Sequence, residues 1–178
     1  MSRRLSFKRL RSISWLCGGA RESRCDEMVL PCEPVVLNVY DLFHINAYTM
    51  TLGLGFFHSG VQIYGREYAF GGHEFPMTGI FEIEPRNGQA ELGEQFRFRE
   101  SILLGYTNFS RRDVERIVDQ LGVQFPGDSY HLTSRNCNHF SSSLVHIVCG
   151  RKIPGWVNRL AHLVTCVPFL ERCLFPRQ

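Results

Sequence analysis

Up to Tyr106 the apolar residues of this chain fall in short strand-like runs, and from Ser110 onward they recur at i, i+3, i+4 and i+7. That change of period separates a sheet-forming part from a helix-forming part and predicts an α+β domain. Val35 to Tyr40 reads as a buried strand. Phe56 to Tyr64 reads as a second, with Phe57, Ser59, Val61 and Ile63 on one face and Phe56, His58, Gly60, Gln62 and Tyr64 on the other. Arg66 to Phe70 is its expected antiparallel partner through a turn at Gly65, and Ile80–Ile83 and Phe96 to Tyr106 are further strands. Ile45 to Gly55 is ambiguous, and Gly71-Gly72 opens a loop that runs to Gly79. Ser110-x-x-Asp113 is a capping-box start for a helix carrying Val114, Ile117, Val118 and Leu121, with Gly122 as its expected C-cap. A second helix opens at Asn136, buries Phe140, Leu144, Ile147 and Val148, and ends at Gly150; a short apolar one runs from Trp156 to about Thr165.

With 178 residues, 44% hydrophobic and 21% charged, the chain has room for one domain with an ordinary core, which excludes disordered, collagen-like and repeat-built classes. No run approaches the roughly 18 apolar residues of a spanning helix, so no transmembrane segment is expected. Residues 1–33 carry seven Arg or Lys against four acids, and the rest carries 13 of each sign. A neutral main part predicts no nucleic-acid partner, which would need a clustered basic face. The expected organisation is a basic, disordered leader over 1–33, a domain over 34–168 and a short tail over 169–178. The leader is read as a solvated tail, with an organellar transit peptide as the minority alternative because it is Arg- and Ser-rich. Seven cysteines without a C-x-x-C pair favour neither a disulfide framework nor a zinc ribbon. Reduced thiols suit a cytoplasmic or also nuclear setting, and no metal or cofactor is expected.

Chemistry concentrates at Asn136-Cys137-Asn138-His139-Phe140. Two amides flank Cys137, and the apolar stripe of the helix begins only at Phe140. With Asn136 as N-cap, Cys137 falls in the first turn, where unpaired N–H groups and the positive dipole end favour a thiolate and can receive an oxyanion. A buried structural cysteine is the bland alternative. A nucleophile needs a base. His139, at i+2, points elsewhere, and His146 lies more than two turns along the helix. His44, His73, His131 and His162 stay open, as does a merely structural His58; His58 is the most suggestive, because a strand holds its ring beside the small Ser59 and Gly60. Gly53-x-Gly55 does not continue as a dinucleotide loop, and His58-Ser59-Gly60 lacks the spacing of a serine-hydrolase elbow.

Val39-Tyr40-Asp41-Leu42, Phe57-His58-Ser59-Gly60-Val61 and Tyr64-Gly65-Arg66-Glu67-Tyr68 with Gly71-Gly72 resemble the PPPDE family, the desumoylating-isopeptidase-like proteins. Tyr130-His131-Leu132, Asn136-Cys137-Asn138-His139-Phe140-Ser141 and Gly150-Arg151-Lys152-Ile153-Pro154 continue the match, closer to the second branch of that family than to the first. The resemblance implies a circularly permuted papain-like fold, a small antiparallel sheet or barrel packed against helices. It implies a cysteine isopeptidase with Cys137 as nucleophile and His58 as general base and then acid. The backbone N–H of Cys137 would form part of an oxyanion hole, with Asn136 or Asn138 as helpers. The implied partners are ubiquitin- or SUMO-conjugated proteins, and the family's dimeric members admit a homodimer. A protein S-acyl thioesterase using the same dyad, and a non-catalytic module that binds the modifier, are the alternatives.

Overall fold

β1 (Glu33–Asp41) is the strand around which the domain is built, because its inward residues Val35, Leu37 and Val39 are fully buried and both of its edges are paired. A computed structural model describes residues 32–42, 46 and 55–166. The leader up to residue 31, His44, most of the Ile45 to Gly55 segment and the tail over 169–178 lie outside the described residues. β2 (Phe57–Ile63), β3 (Arg66–Phe70), β4 (Ile80–Ile83) and β5 (Arg97–Thr107) complete a five-stranded antiparallel sheet in the order β4-β3-β2-β1-β5. The β2–β3 hairpin turns on two residues, Tyr64 at φ 53° and Gly65 at φ 72°. Both lie in the left-handed region, as a type I′ turn requires for its twist to match the strands.

Register decides which side chains share a face. Leu37 pairs with Val61 and Val39 with Ser59, so these β1 residues share the face on which Phe57, Ser59, Val61 and Ile63 are expected to lie together. Against this face pack α2 (Arg111–Gln124) through Val114, Val118 and Leu121, and α3 (Cys137–Cys149) through Phe140, Leu144, Val145 and Val148. Phe125 joins the two helices to the sheet, stacking edge-on with Phe70 at 5.2 Å and Phe140 at 5.5 Å between ring centroids. Each such side chain contributes about 1.5–3 kcal/mol by leaving water. The other face carries Asn38, Tyr40, His58, Gly60 and Glu67 and is partly covered by α1 (Gly88–Leu92). Gly88 lies so close to Tyr40 that a Cβ there would fall 2.7 Å from its ring.

The expected α+β architecture therefore holds, with four corrections of detail. α2 runs past Gly122 to Gln124 and is capped at Phe125, because Gly122 is a contact glycine: a Cβ would meet the Thr78 hydroxyl at 2.9 Å. Ile147 is 45% exposed and Val145 takes the buried position, a rotation of the apolar stripe by less than one turn. The segment from Trp156 begins as a 3-10 turn (Gly155–Asn158) before α4 (Arg159–Cys166). α1, with five residues and no apolar periodicity, had no signal in the sequence. Among the described residues no helix is long and apolar enough to cross a membrane.

Candidate active site

Asn136 is the N-cap of α3, as its position before the helical stripe predicts. Its side-chain oxygen accepts from the His139 N–H at 3.1 Å, and the His139 ring accepts from the Asn136 N–H at 3.2 Å. This is a capping box with histidine in the place usually held by Glu or Gln. It explains why His139 is turned back upon the cap and away from Cys137. Cys137 is the first residue of the helix, 2% exposed, with its sulfur 4.0 Å from both the Tyr130 hydroxyl and the Phe57 carbonyl. β3 pairs with β2 only from Val61 onward, so the edge of β2 at Phe57–Ser59 is left open for this thiol.

Two opposed effects set the thiol's acidity. Burial pushes it up and dominates, while the N–H groups of Ser59, Asn138 and Cys137 itself and the Tyr130 hydroxyl pull it down. The resting group is a protonated thiol surrounded by donors that favour the charged form once charge develops. Asn138 ties the turn to its surroundings: its amide donates to the Phe57 carbonyl at 3.1 Å and the Val157 carbonyl at 3.3 Å, and its oxygen accepts from Ser59 at 2.7 Å. Asn136 donates to the Leu132 carbonyl at 2.8 Å and the Asn158 side chain at 3.0 Å. Both amide donors are thus committed to internal acceptors. Asn158 and Tyr130, which touch this turn, stood in no recognisable chemical motif; only folding brings them to Cys137.

His58 lies on β2 between Phe57 and Ser59, with its ring on the opposite face of the strand, among aromatic rings. Its centroid is 5.1 Å from Phe96 and 6.0 Å from Tyr40. It is 4% exposed, its Nε2 is buried with no hydrogen-bond partner among the described residues, and burial lowers its pKa to about 4. The fold brings Cys137 against the backbone on either side of His58, but among the described residues the thiol's hydrogen bonds run to Tyr130 and Phe57 and not to the imidazole. Of the other histidines, the His73 ring contacts the Thr78 carbonyl at 3.0 Å, and His162 packs near His139 at 6.5 Å between centroids. Behind the His58 face stands Glu67, fully buried and absent from the sequence reasoning as a site residue. It accepts from the Tyr40 hydroxyl at 2.8 Å, from the Arg86 N–H at 3.0 Å and from the Asn38 amide. A glutamate alternating in a strand reads as solvent-facing; only Gly60, two residues along β2 from its partner Gln62, leaves room for it on this face.

Cys137 lines a slot of about 30 Å³, walled by Leu42, Phe56, Tyr130, Leu132 and Val157. That is the share of liquid occupied by about one water molecule.

Residues 33–177 match the family described as "PPPDE putative peptidase domain". The chain is 50% identical over 140 residues to a protein of Caenorhabditis elegans named desumoylating isopeptidase 1 homolog, covering 79% of this chain and 42% of that one. It is 45% identical over 143 residues to a DeSI-like protein of Arabidopsis thaliana, covering 80% and 60%. Human desumoylating isopeptidase 1 is 31% identical over 144 residues, covering 76% of this chain and 79% of the human one. The chain thus spans less than two thirds of the length of the first two relatives. A match that takes in nearly the whole described domain places this chain in the PPPDE peptidase family.

Proposed function

We propose that this chain is a cysteine isopeptidase that removes ubiquitin or a ubiquitin-like modifier such as SUMO from substrate lysines, with Cys137 as nucleophile and His58 as base. The observation that carries the reading is Cys137 itself: a thiol in the first turn of α3, ringed by N–H donors and lining a narrow slot. The names of the relatives, desumoylating isopeptidase 1 and its homolog, point to the same substrate class.

In this reaction the sulfur attacks the carbonyl carbon as its proton passes to the imidazole, which is neutral at pH 7 because burial keeps its pKa low. For that transfer the thiol has to give up its contacts with Tyr130 and Phe57 and reach the imidazole past the edge of β2. The oxyanion forms against the N–H groups at the start of α3. Collapse breaks the C–N bond, and the imidazolium gives its proton to the departing lysine amine. Water, losing a proton to the imidazole, then attacks the acyl-thioester; the modifier leaves with a free carboxylate and the thiol is restored. Asn136 and Asn138 act here by holding the turn that aims Cys137. No residue orients His58 through Nε2; the rings of Tyr40 and Phe96 hold it by packing.

C-terminally electrophilic ubiquitin, SUMO and Nedd8 probes test the proposal on wild type, Cys137→Ala and His58→Ala, alongside a fluorogenic acyl-thioester. Labelling by one modifier that disappears in Cys137→Ala and falls at least about hundredfold in His58→Ala is the expected result. Thioester turnover without a probe adduct would reassign the chain to the depalmitoylating class. Silence in both assays from a folded protein would leave a modifier-binding module.

A further inference from the structure

The charge of the domain is segregated along the chain. Residues 34–128 hold seven Arg or Lys against twelve Asp or Glu, whereas 129–178 hold six against one, Glu171. Part of that positive excess converges on a second groove. His139 and His146, two helical turns apart, lie on one side of α3. Arg151 and Lys152 follow the end of that helix, and His162 comes from α4. The five line a groove of about 430 Å³ to which, among the described residues, no Asp or Glu contributes. Arg151 and Lys152 are exposed, and among the described residues neither forms an ion pair. The Arg151 stem is held beside the sheet, where a Cβ on Gly105 would meet its Cγ at 3.4 Å.

The position of this groove matters as much as its charge. It shares Asn138 and Asn158 with the slot at Cys137, so the two spaces adjoin across these two side chains. Its volume exceeds what a single anion fills, and an extended peptide advances only about 3.3 Å per residue, so it takes several residues at once. It has no aromatic ring other than histidine on which a nucleobase would stack. Its concave shape suits a strand of peptide better than a membrane surface.

We propose that this groove is an exosite for a segment rich in Asp and Glu, carried by the modified protein on the flank of the linkage cut at Cys137. The word "modified" rests on the isopeptidase reading; capture of an acidic peptide does not. Fluorescence anisotropy on the full chain tests it, with an Asp/Glu-rich peptide and its Asn/Gln counterpart. The proteins compared are wild type, Arg151→Glu/Lys152→Glu and the milder Arg151→Gln/Lys152→Gln. The acidic peptide should bind at least about tenfold tighter than its amide counterpart at low salt, and that preference should collapse at high salt and in both variants. Thermal melting should be unchanged, since both side chains are exposed. Equal affinity for the two peptides, or a preference that survives charge reversal, overturns the proposal. So does binding to phosphatidylserine vesicles that is lost in the variants while peptide binding is not, which would make the groove a membrane contact. Acidic-peptide binding without any modifier-probe adduct would sink the isopeptidase reading and keep the groove. Probe labelling without peptide discrimination would do the reverse.

Discussion

Glu67 is a fully buried carboxylate, and its surroundings show how one residue can fix a whole sheet face. Three donors from β1 and the loop after β4 hold it, yet burial outweighs them and raises its pKa. The space it occupies exists because position 60 has no side chain: a Cβ there would lie 2.2 Å from a Glu67 oxygen and 2.6 Å from its Cγ. With its carboxylate tethered, Glu67 has little freedom to retreat. Gly60→Ala should therefore destabilise the fold by about 2–3 kcal/mol, read as a lower urea midpoint at unchanged slope. Gly155→Ala, where a Cβ meets nothing within 4 Å, is the control and should shift it far less. An unmoved midpoint in Gly60→Ala would mean that Glu67 is not held as described. Alternation alone placed Gly60 on the His58 face; it could not say which side chain of a neighbouring strand fills the gap, because that depends on the Gln62–Glu67 register.

At the scale of elements, the decisive piece is the first turn of α3 and its docking on β2. Asn136 closes the cap and also ties the turn to Leu132 and Asn158, so its removal strikes a helix end and a tertiary contact together. Asn136→Ala should cost about 1–2 kcal/mol by loss of the cap. It should also reduce the rate of probe labelling at Cys137, whereas Asn136→Asp, which keeps the capping oxygen, should recover most of the stability. Calorimetry and labelling kinetics on both variants decide this; equal loss in Ala and Asp would assign the effect to the amide donors instead. The N-cap and the place of Cys137 were legible from local pattern, since capping is a property of a few consecutive residues. That the turn docks against the open edge of β2 was not, because this edge is created where β3 stops pairing.

For the whole molecule, the burial of His58 links folding to pH. The unfolded chain binds a proton on this imidazole near its ordinary value of 6.5, and the folded protein only near 4. Between those values the unfolded state holds the extra proton, so this contribution is complete above pH 6.5 and is lost as pH falls towards 4. A shift of this size corresponds to about 3 kcal/mol. Glu67, with its pKa raised, works in the opposite direction, losing stability as pH rises above its ordinary value of 4.5. Denaturant unfolding of wild type and His58→Gln across this range therefore isolates the histidine: their difference in stability should narrow or invert as pH drops. A difference that stays constant would show His58 to be solvated.

By itself the sequence determined the order of strands and helices, the alternation of β2, the cap at Asn136 and the family, because each is carried by residues close together or by motif identity. Tertiary structure alone decided that Tyr130 and Asn158 meet the turn of Cys137, that His58 sits among rings on the far face of its strand, and that a buried glutamate stands behind it. It also gathered basic side chains of a neutral domain into one groove. Those outcomes depend on register and on how helices settle on the sheet, which are fixed by contacts between residues distant in the chain and leave no period for a local pattern to reveal.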